Sequence, residues 1–183
     1  KAARKVEAEL SKRLVPLGIP NERFQIQMSD KALSSDGIDR LQFYFSANKN
    51  TPLQPIAQIA SGGEIARVML SLKAMVSGAV KLPTIIFDEI DTGVSGRVAE
   101  QMAHIMREMG DAHRQVISIT HLPQIAAVGT THYKVSKEDR DDTTVSHMRL
   151  LCPEERVAEI AQMLSGNDIT PAAIENAKSL LRI

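Results

Sequence analysis

The sequence predicts an α/β fold organised around one strand–helix–strand unit. Two apolar runs carry that expectation, Leu82-Pro83-Thr84-Ile85-Ile86-Phe87 leading into Asp88-Glu89, and Gln115 to Thr120. Between them, Val94, Val98, Met102, Ile105 and Met109 recur at helical spacing over Val94 to Met109. Continuous apolar runs of this length suit strands of a parallel sheet buried on both faces, and a crossover of this order is right-handed. Asp88, Glu89 and His121 then share the carboxyl ends of neighbouring strands, where open α/β sheets hold their ligands.

The totals bound the rest. A chain of 183 residues suits one domain, or one lobe of a larger one, with a real core. Lys plus Arg is 22 and Asp plus Glu is 22. Net charge therefore gives no ground for a nucleic-acid or anionic-membrane partner, and only a local basic patch stays open. Cys152 is the one cysteine, which excludes an internal disulfide or a cysteine-rich zinc site and fits a reducing cytoplasm. No run of about 18 apolar residues occurs to span a membrane, and the first residues lack the apolar segment of a secretory signal. Tryptophan is absent, so the core is aliphatic, with eight methionines to fill it.

Taken in order, Lys1 to Leu17 reads as an amphipathic helix, with Ala3, Val6, Leu10, Leu14 and Leu17 on one stripe and Gly18 and Pro20 ending it. No capping residue precedes it, so it reads as the continuation of a longer helix. Two heptads do not separate a coiled coil from a plain surface helix. Phe24 to Met28 and Leu41 to Ala47 alternate as strands, with Leu41, Phe43 and Phe45 on one face and a turn at Ser34-Ser35-Asp36-Gly37 between them. The polar loop Asn48 to Pro55 leads to a helix over Ile65 to Val76. That helix should bury Ile65, Val68, Met69, Leu72 and Val76 and stop at Gly78.

After the central unit, His132 to Ser136 and Thr143 to Leu150 read as strands, with the charged stretch 137–142 as a solvated hairpin tip. Pro153, Glu154 and Glu155 open a helix to Leu164 that Gly166 stops, and Thr170-Pro171 caps a last helix. The sequence contains no internal repeat and no low-complexity linker.

Three places carry chemistry. Ser61-Gly62-Gly63-Glu64 has the spacing of a capping box at a helix start. The two glycines let another molecule approach the backbone closely, and free amides at a helix N-terminus attract an anion such as phosphate. Taken alone, these four residues read more simply as an ordinary capped helix with a glycine pair. Asp88 and Glu89 end a buried strand, where two carboxylates are costly unless a divalent metal or an activated water compensates them. In phosphoryl transfer one acidic residue after an apolar strand holds Mg²⁺, the part read for Asp88, and another group orients the attacking water, the part read for Glu89. His121, one strand over, is placed to donate to a transferred phosphate. A strand that simply ends in acidic residues, and a structural histidine, are the plainer alternatives.

The order of these elements resembles the head of an ABC-type ATPase. Ser61-Gly62-Gly63-Glu64 resembles the signature, Ile85-Ile86-Phe87-Asp88-Glu89 the Walker B segment, Asp91 the D-loop and His121 the switch histidine. The closer resemblance is to the RecN family of SMC-like DNA-repair proteins. It is carried by Ala60 to Glu64, by Phe87-Asp88-Glu89-Ile90-Asp91-Thr92-Gly93-Val94-Ser95-Gly96 and by Thr120-His121-Leu122-Pro123-Gln124. It extends from the loop before Ser61 to the C-terminal helices.

The resemblance implies the C-terminal lobe of an ABC/SMC-type P-loop ATPase head, a mostly parallel sheet flanked by helices, with a C-terminal β-hairpin and helices. Residues 1–17 are then the end of a coiled-coil arm and 18–183 the lobe. No G-x-x-x-x-G-K-[ST] occurs in the sequence. In the family that loop lies on an N-terminal lobe beyond the arm, so the lobe described by this sequence is expected to hydrolyse ATP negligibly alone. The implied cofactors are ATP and Mg²⁺. Glu89 and His121 would act in hydrolysis, Asp88 on the metal, and Ser61, Gly62, Gly63, Glu64 and Asp91 on the nucleotide. The implied partners are the N-terminal lobe, a second head joined across ATP, and DNA through the intact protein in double-strand-break repair, with no membrane and a cytoplasmic, nucleoid-associated setting. The surface that meets the other lobe should be apolar and exposed. Two other readings compete. A non-catalytic dimerisation or scaffold module would have no use for Glu89, and a transporter nucleotide domain would carry its P-loop upstream in one compact unit.

Overall fold

The computed structural model describes residues 1–59, 61–77, 80, 82–111, 114–140, 143–166 and 168–182. Helix α1, Ala2–Leu14, buries Leu10 and Leu14, and Leu17 follows them into the core. Gly18, at φ 79°, turns the chain out of it. Strands β1, Arg23–Ser34, and β2, Gly37–Ser46, form an antiparallel hairpin, and β3, Gln54–Pro55, pairs along β2. The turn falls at the expected four residues, where Ser34 Oγ donates to Asp36 Oδ1 at 2.6 Å and Gly37 takes φ 101°. Both strands outrun their apolar cores, because backbone pairing continues where the side chains are polar. Only the base of the hairpin is buried. Phe45 is enclosed and Phe43 stacks on Phe24 at 5.9 Å between ring centres, while Leu41 faces solvent.

Helix α2, Gly62–Ser77, lies against α1 and against α3, Gly96–Asp111. Contact on two sides rotates its buried stripe from the one expected. Val68, Leu70 and Ser71 are enclosed, whereas Met69 and Val76 are exposed. Ser71 Oγ donates to Arg67 O at 2.9 Å, so the stripe holds a serine with no unpaired donor. Gly78, the expected helix stop, lies outside the described residues.

Strands β4, Thr84–Asp88, and β5, Gln115–Ile119, pair in parallel, with Asp88 opposite Ile119. With α3 between them they form the expected crossover. Their burial is one-sided. Ile85 and Phe87 are covered, but Ile86, Ile117 and Ile119 are exposed on the other face. Burial on both faces is therefore corrected for this chain. An apolar run records that a face can be covered, and α3 covers only one. Among the described residues parallel pairing is confined to β4 and β5; the other two sheets are antiparallel.

A short helix not anticipated from the sequence, α4, Pro123–Val128, follows β5. Strands β6, Tyr133–Arg140, and β7, Thr143–Leu150, form a second hairpin. Its charged segment 137–140 continues the strand instead of forming the tip, and Thr144 Oγ1 donates to Asp139 Oδ1 at 2.7 Å across the pair. Asp141 and Asp142 lie outside the described residues. Helix α5, Pro153–Ser165, is capped by Cys152 and Glu155, and α6, Pro171–Leu181, by Thr170, whose hydroxyl accepts from Ala173 N at 3.1 Å. Ala127, Ile160, Ala161, Ala173 and Ala177 form a small core of their own among α4, α5 and α6. The main core joins α1, α2, α3, β4 and the base of the first hairpin. Among the described residues no helix is long and apolar enough to cross a membrane.

Candidate functional site

The site is built from the turn that follows β4. Glu89 N donates to Ile119 O at 3.1 Å, which ties the turn to the end of β5. Thr92 Oγ1 donates to Glu89 O at 3.0 Å and Val94 N to Asp91 O at 3.1 Å, closing the turn on itself. Glu89 takes φ 48°, a left-handed conformation uncommon outside glycine and concentrated at functional positions. Asp88 and Glu89 are both exposed. The costly buried pair expected from the sequence is thus corrected: the open outer face of β4 leaves both carboxylates to water.

Asp91 is placed differently from the other candidate residues. Its side chain is 1% exposed and turned inward. Oδ2 accepts the Thr120 hydroxyl, and Thr120 Oγ1 accepts Leu122 N at 3.0 Å. Oδ1 has no hydrogen-bond partner and stands 3.8 Å from His121 Nδ1. The His121 ring itself is 66% exposed beside the acidic turn.

The serine–glycine helix start packs on the same turn. Ser61 Oγ lies 3.4 Å from Glu64 N, a long capping contact, and Ile65 N donates to Ser61 O at 3.1 Å. A Cβ at Gly63 would stand 3.2 Å from the carbonyl oxygens of both Thr92 and Gly93, so two backbones meet there with no side chain between them. A Cβ at Gly62 would meet nothing within 4 Å. Ala60 lies outside the described residues. Arg67, one helical turn on, donates from Nε to Gly63 O at 3.0 Å. A shallow open cavity beside Ser61 and Glu64 is lined also by Asn48, Thr51 and Gln54 and does not reach the acidic turn.

The structure therefore brings His121, from the end of β5, and Gly63, from the start of α2, against the turn that follows Asp88 and carries Glu89 and Asp91, with Ser61, Gly62 and Glu64 in the same helix start. Sequence reasoning missed Thr120 and Arg67. A threonine just before His121 and an arginine one turn after Gly63 were the only signals, and neither identifies its partner.

Among the described residues no three His, Cys, Asp or Glu side chains gather to hold a metal ion. Asp88 offers one exposed carboxylate. That fits Mg²⁺, which keeps its waters and takes one or two carboxylates together with phosphate oxygens, and does not fit a self-sufficient protein cage.

No family model matches the chain. It is 42% identical over 186 residues to the DNA repair protein RecN of Deinococcus radiodurans and 38% identical over 181 residues to that of Vibrio cholerae, covering 98% of this chain and 32% of the relative in each case. RecN of Bacillus subtilis is 43% identical over 150 residues, 82% of this chain and 26% of the relative. The chain thus spans about a third or less of the length of the relatives it matches. Among solved structures, the Smc head domain with a coiled coil and joint from Pyrococcus yayanosii matches 88% of this chain and 29% of its own, with TM-score 0.65 and 19% identity. A chain solved in work on the ATP-driven dimerization and DNA-stimulated activation of SMC ATPases matches 91% of this chain and 96% of its own, with TM-score 0.58 and 18% identity. At those identities the likeness is one of fold. Sequence and fold agree: along nearly its whole length the chain is similar to a part of the RecN proteins, and it has the fold of a lobe of an SMC head domain.

Proposed function

We propose that this chain is the C-terminal lobe of the ATPase head of a RecN-type protein acting in recombinational repair of DNA double-strand breaks. Residues 1–17 end the returning coiled-coil arm, 18–183 form the lobe, and the phosphate-binding P-loop lies on an N-terminal lobe. ATP joins two heads, and its hydrolysis releases them from one another. Asp88 is the carboxylate of this chain that would hold Mg²⁺, which would supply positive charge to offset that of the phosphates.

Glu89 polarises the attacking water. It is exposed at the end of β4 and its backbone is bonded to β5, so the carboxylate is presented from a fixed point. His121, whose ring is open beside it, hydrogen-bonds the transferred phosphate. Ser61 and the amides of Gly62 and Gly63 close over the γ-phosphate held by a second head, with Glu64 in the same first turn. Asp91, being buried, contributes indirectly. The exposed isoleucine face of β4 and β5 is where the N-terminal lobe docks, and the intact protein works on DNA at the nucleoid.

One observation carries this reading: a serine–glycine helix start packed by bare backbone on a turn that presents Asp88 and Glu89 next to His121. The names and fold of the relatives agree with it.

Calorimetric titration with ATP and Mg²⁺ tests it. The chain alone should bind too weakly to register, and adding the N-terminal lobe should create the site. In the two-lobe protein Glu89→Gln should lower ATP turnover by about 10²-fold or more while ATP still joins the heads. Tight ATP binding by the chain alone overturns the half-site. Turnover indifferent to Glu89→Gln takes the water-polarising role away from Glu89, and an absence of turnover in the two-lobe protein transfers the chain to the non-catalytic scaffold reading.

A further inference from the structure

We infer that Asp91 is a positioning residue for His121, holding the imidazole with its proton on Nδ1 and turning Nε2 outward as the nitrogen that meets a ligand. The naming of His121 as an acting residue rests on the function proposed above; the geometry of the pair does not.

A carboxylate that is 1% exposed needs a reason to stay inside. Half of Asp91 has one, since Oδ2 accepts the Thr120 hydroxyl. That hydroxyl has no second proton to give, and one of its two lone pairs accepts from Leu122 N at 3.0 Å. Thr120 is therefore fixed as a donor to Asp91 and as an acceptor from the residue after His121, and the backbone on both sides of the histidine is clamped. Oδ1 has no partner, in a place where water does not reach it. The polar atom facing it is His121 Nδ1 at 3.8 Å, a small ring rotation from hydrogen-bond distance.

An ionised carboxylate only accepts, so the nitrogen facing it must carry the proton. Neutral His121 is then the Nδ1–H form, with the lone pair of Nε2 directed away from Asp91. When the ring carries both protons, Nε2–H is a donor to an anion and Asp91 is the fixed negative partner behind it. In either state Asp91 settles which nitrogen does the work, as a carboxylate behind a metal-bound or catalytic histidine does. The residue thus serves the site from inside the turn, through His121, without touching a ligand.

Ring-nitrogen NMR of this chain labelled with ¹⁵N-histidine tests the inference without ATP. The spectra are recorded at about pH 8.5, some two units above the ordinary imidazole value. His121 is assigned by the signal lost in His121→Gln. The expected result is the Nδ1–H tautomer at His121, converted to Nε2–H in Asp91→Asn. Asn keeps an acceptor for Thr120 and turns an amide donor toward the ring. Thr120→Val, which frees the carboxylate to rotate, should give a mixture of the two forms, and Thr120→Ser should restore the first. An Nε2–H tautomer in the unsubstituted chain overturns the inference. So does a tautomer unmoved by both Asp91→Asn and Thr120→Val in folded protein. Should Asp91→Asn not fold, the Thr120 pair decides alone. Because ATP turnover does not enter, a failed hydrolysis experiment and a failed tautomer experiment remain separate results.

Discussion

Arg67 reaches Leu17 across fifty residues of chain: its Nη1 donates to the Leu17 carbonyl at 2.9 Å while its Nε donates to the carbonyl of Gly63. One guanidinium thereby fastens the end of α1 to the start of α2. Leu17 O lies just past a helix end, where carbonyls lose their helical partners. Two bonds from a charged donor are at stake, each worth about 1.5–3 kcal/mol when a partner is lost. Arg67→Ala should destabilise the chain by roughly 3–6 kcal/mol in urea denaturation. Arg67→Lys, a single point donor, should recover part of that and not all.

Gly62 and Gly63 should respond oppositely to alanine. At Gly63 a methyl group meets two backbone carbonyls that cannot swing aside, so overpacking of about 1–3 kcal/mol should lower the melting temperature. At Gly62 a methyl group meets open space, and alanine gains up to ~1 kcal/mol of helix propensity. Gly62→Ala should therefore melt at or above the unsubstituted chain. Equal melting of the two variants would contradict the contact between Gly63 and the 92–93 backbone.

Acid should loosen the C-terminal half first. His132 is partly buried with Nδ1 unpartnered, and its pKa lies below the ordinary 6.5, chiefly from burial and then from the positive charge of Arg156. Glu159 acts in the opposite direction and Lys134 in the same one. The fold thus prefers the neutral ring. That preference stabilises the chain fully above the unfolded value of 6.5 and is lost as pH falls through it toward the lower folded value. Glu155, held low by the Cys152 amide and then by Arg149, matters only near and below its ordinary 4.5. Between about pH 7.5 and 5.5, urea midpoints should fall, and His132→Gln should flatten that segment.

The bare face of β4 and β5 should make the chain self-associate. Ile86, Ile117 and Ile119 are 58%, 39% and 51% exposed, and such patches seek cover. Ile86→Lys combined with Ile119→Lys should leave the circular-dichroism spectrum unchanged. In sedimentation velocity the doubly substituted chain should be monomeric at concentrations where the unsubstituted chain associates. Association that survives both lysines would locate the sticky surface elsewhere.

The strand–helix–strand unit was legible because its apolar periods are unambiguous, and with it the gathering of Asp88, Glu89 and His121. What stayed hidden is what one-dimensional pattern does not encode. An apolar run over Ile85–Phe87 does not say whether anything covers both faces. The stripe of α2 was misread because α1 and α3 press on it from two directions, and a periodicity marks only one. Helix α4 has six residues, fewer than two turns, and only Pro123 marks its start. The inward turn of Asp91 depends on Thr120, twenty-nine residues later, and the grip of Arg67 on Leu17 spans more chain still. Local signals set the elements, and side-chain direction at a turn is decided by what arrives from elsewhere.

The contact of Gly63 with the backbone of Thr92 and Gly93 has a consequence for timing. In the two-head assembly proposed above, the serine turn of one chain would serve one nucleotide and its acidic turn the other. With nothing compressible between those turns, their separation behaves as a rigid spacer. A fraction of an ångström gained at one nucleotide would be passed to its counterpart through backbone alone, without any side chain changing rotamer. Two such nucleotides would be counted out together, and a head pair bearing one spent and one intact ATP would be a strained, short-lived state.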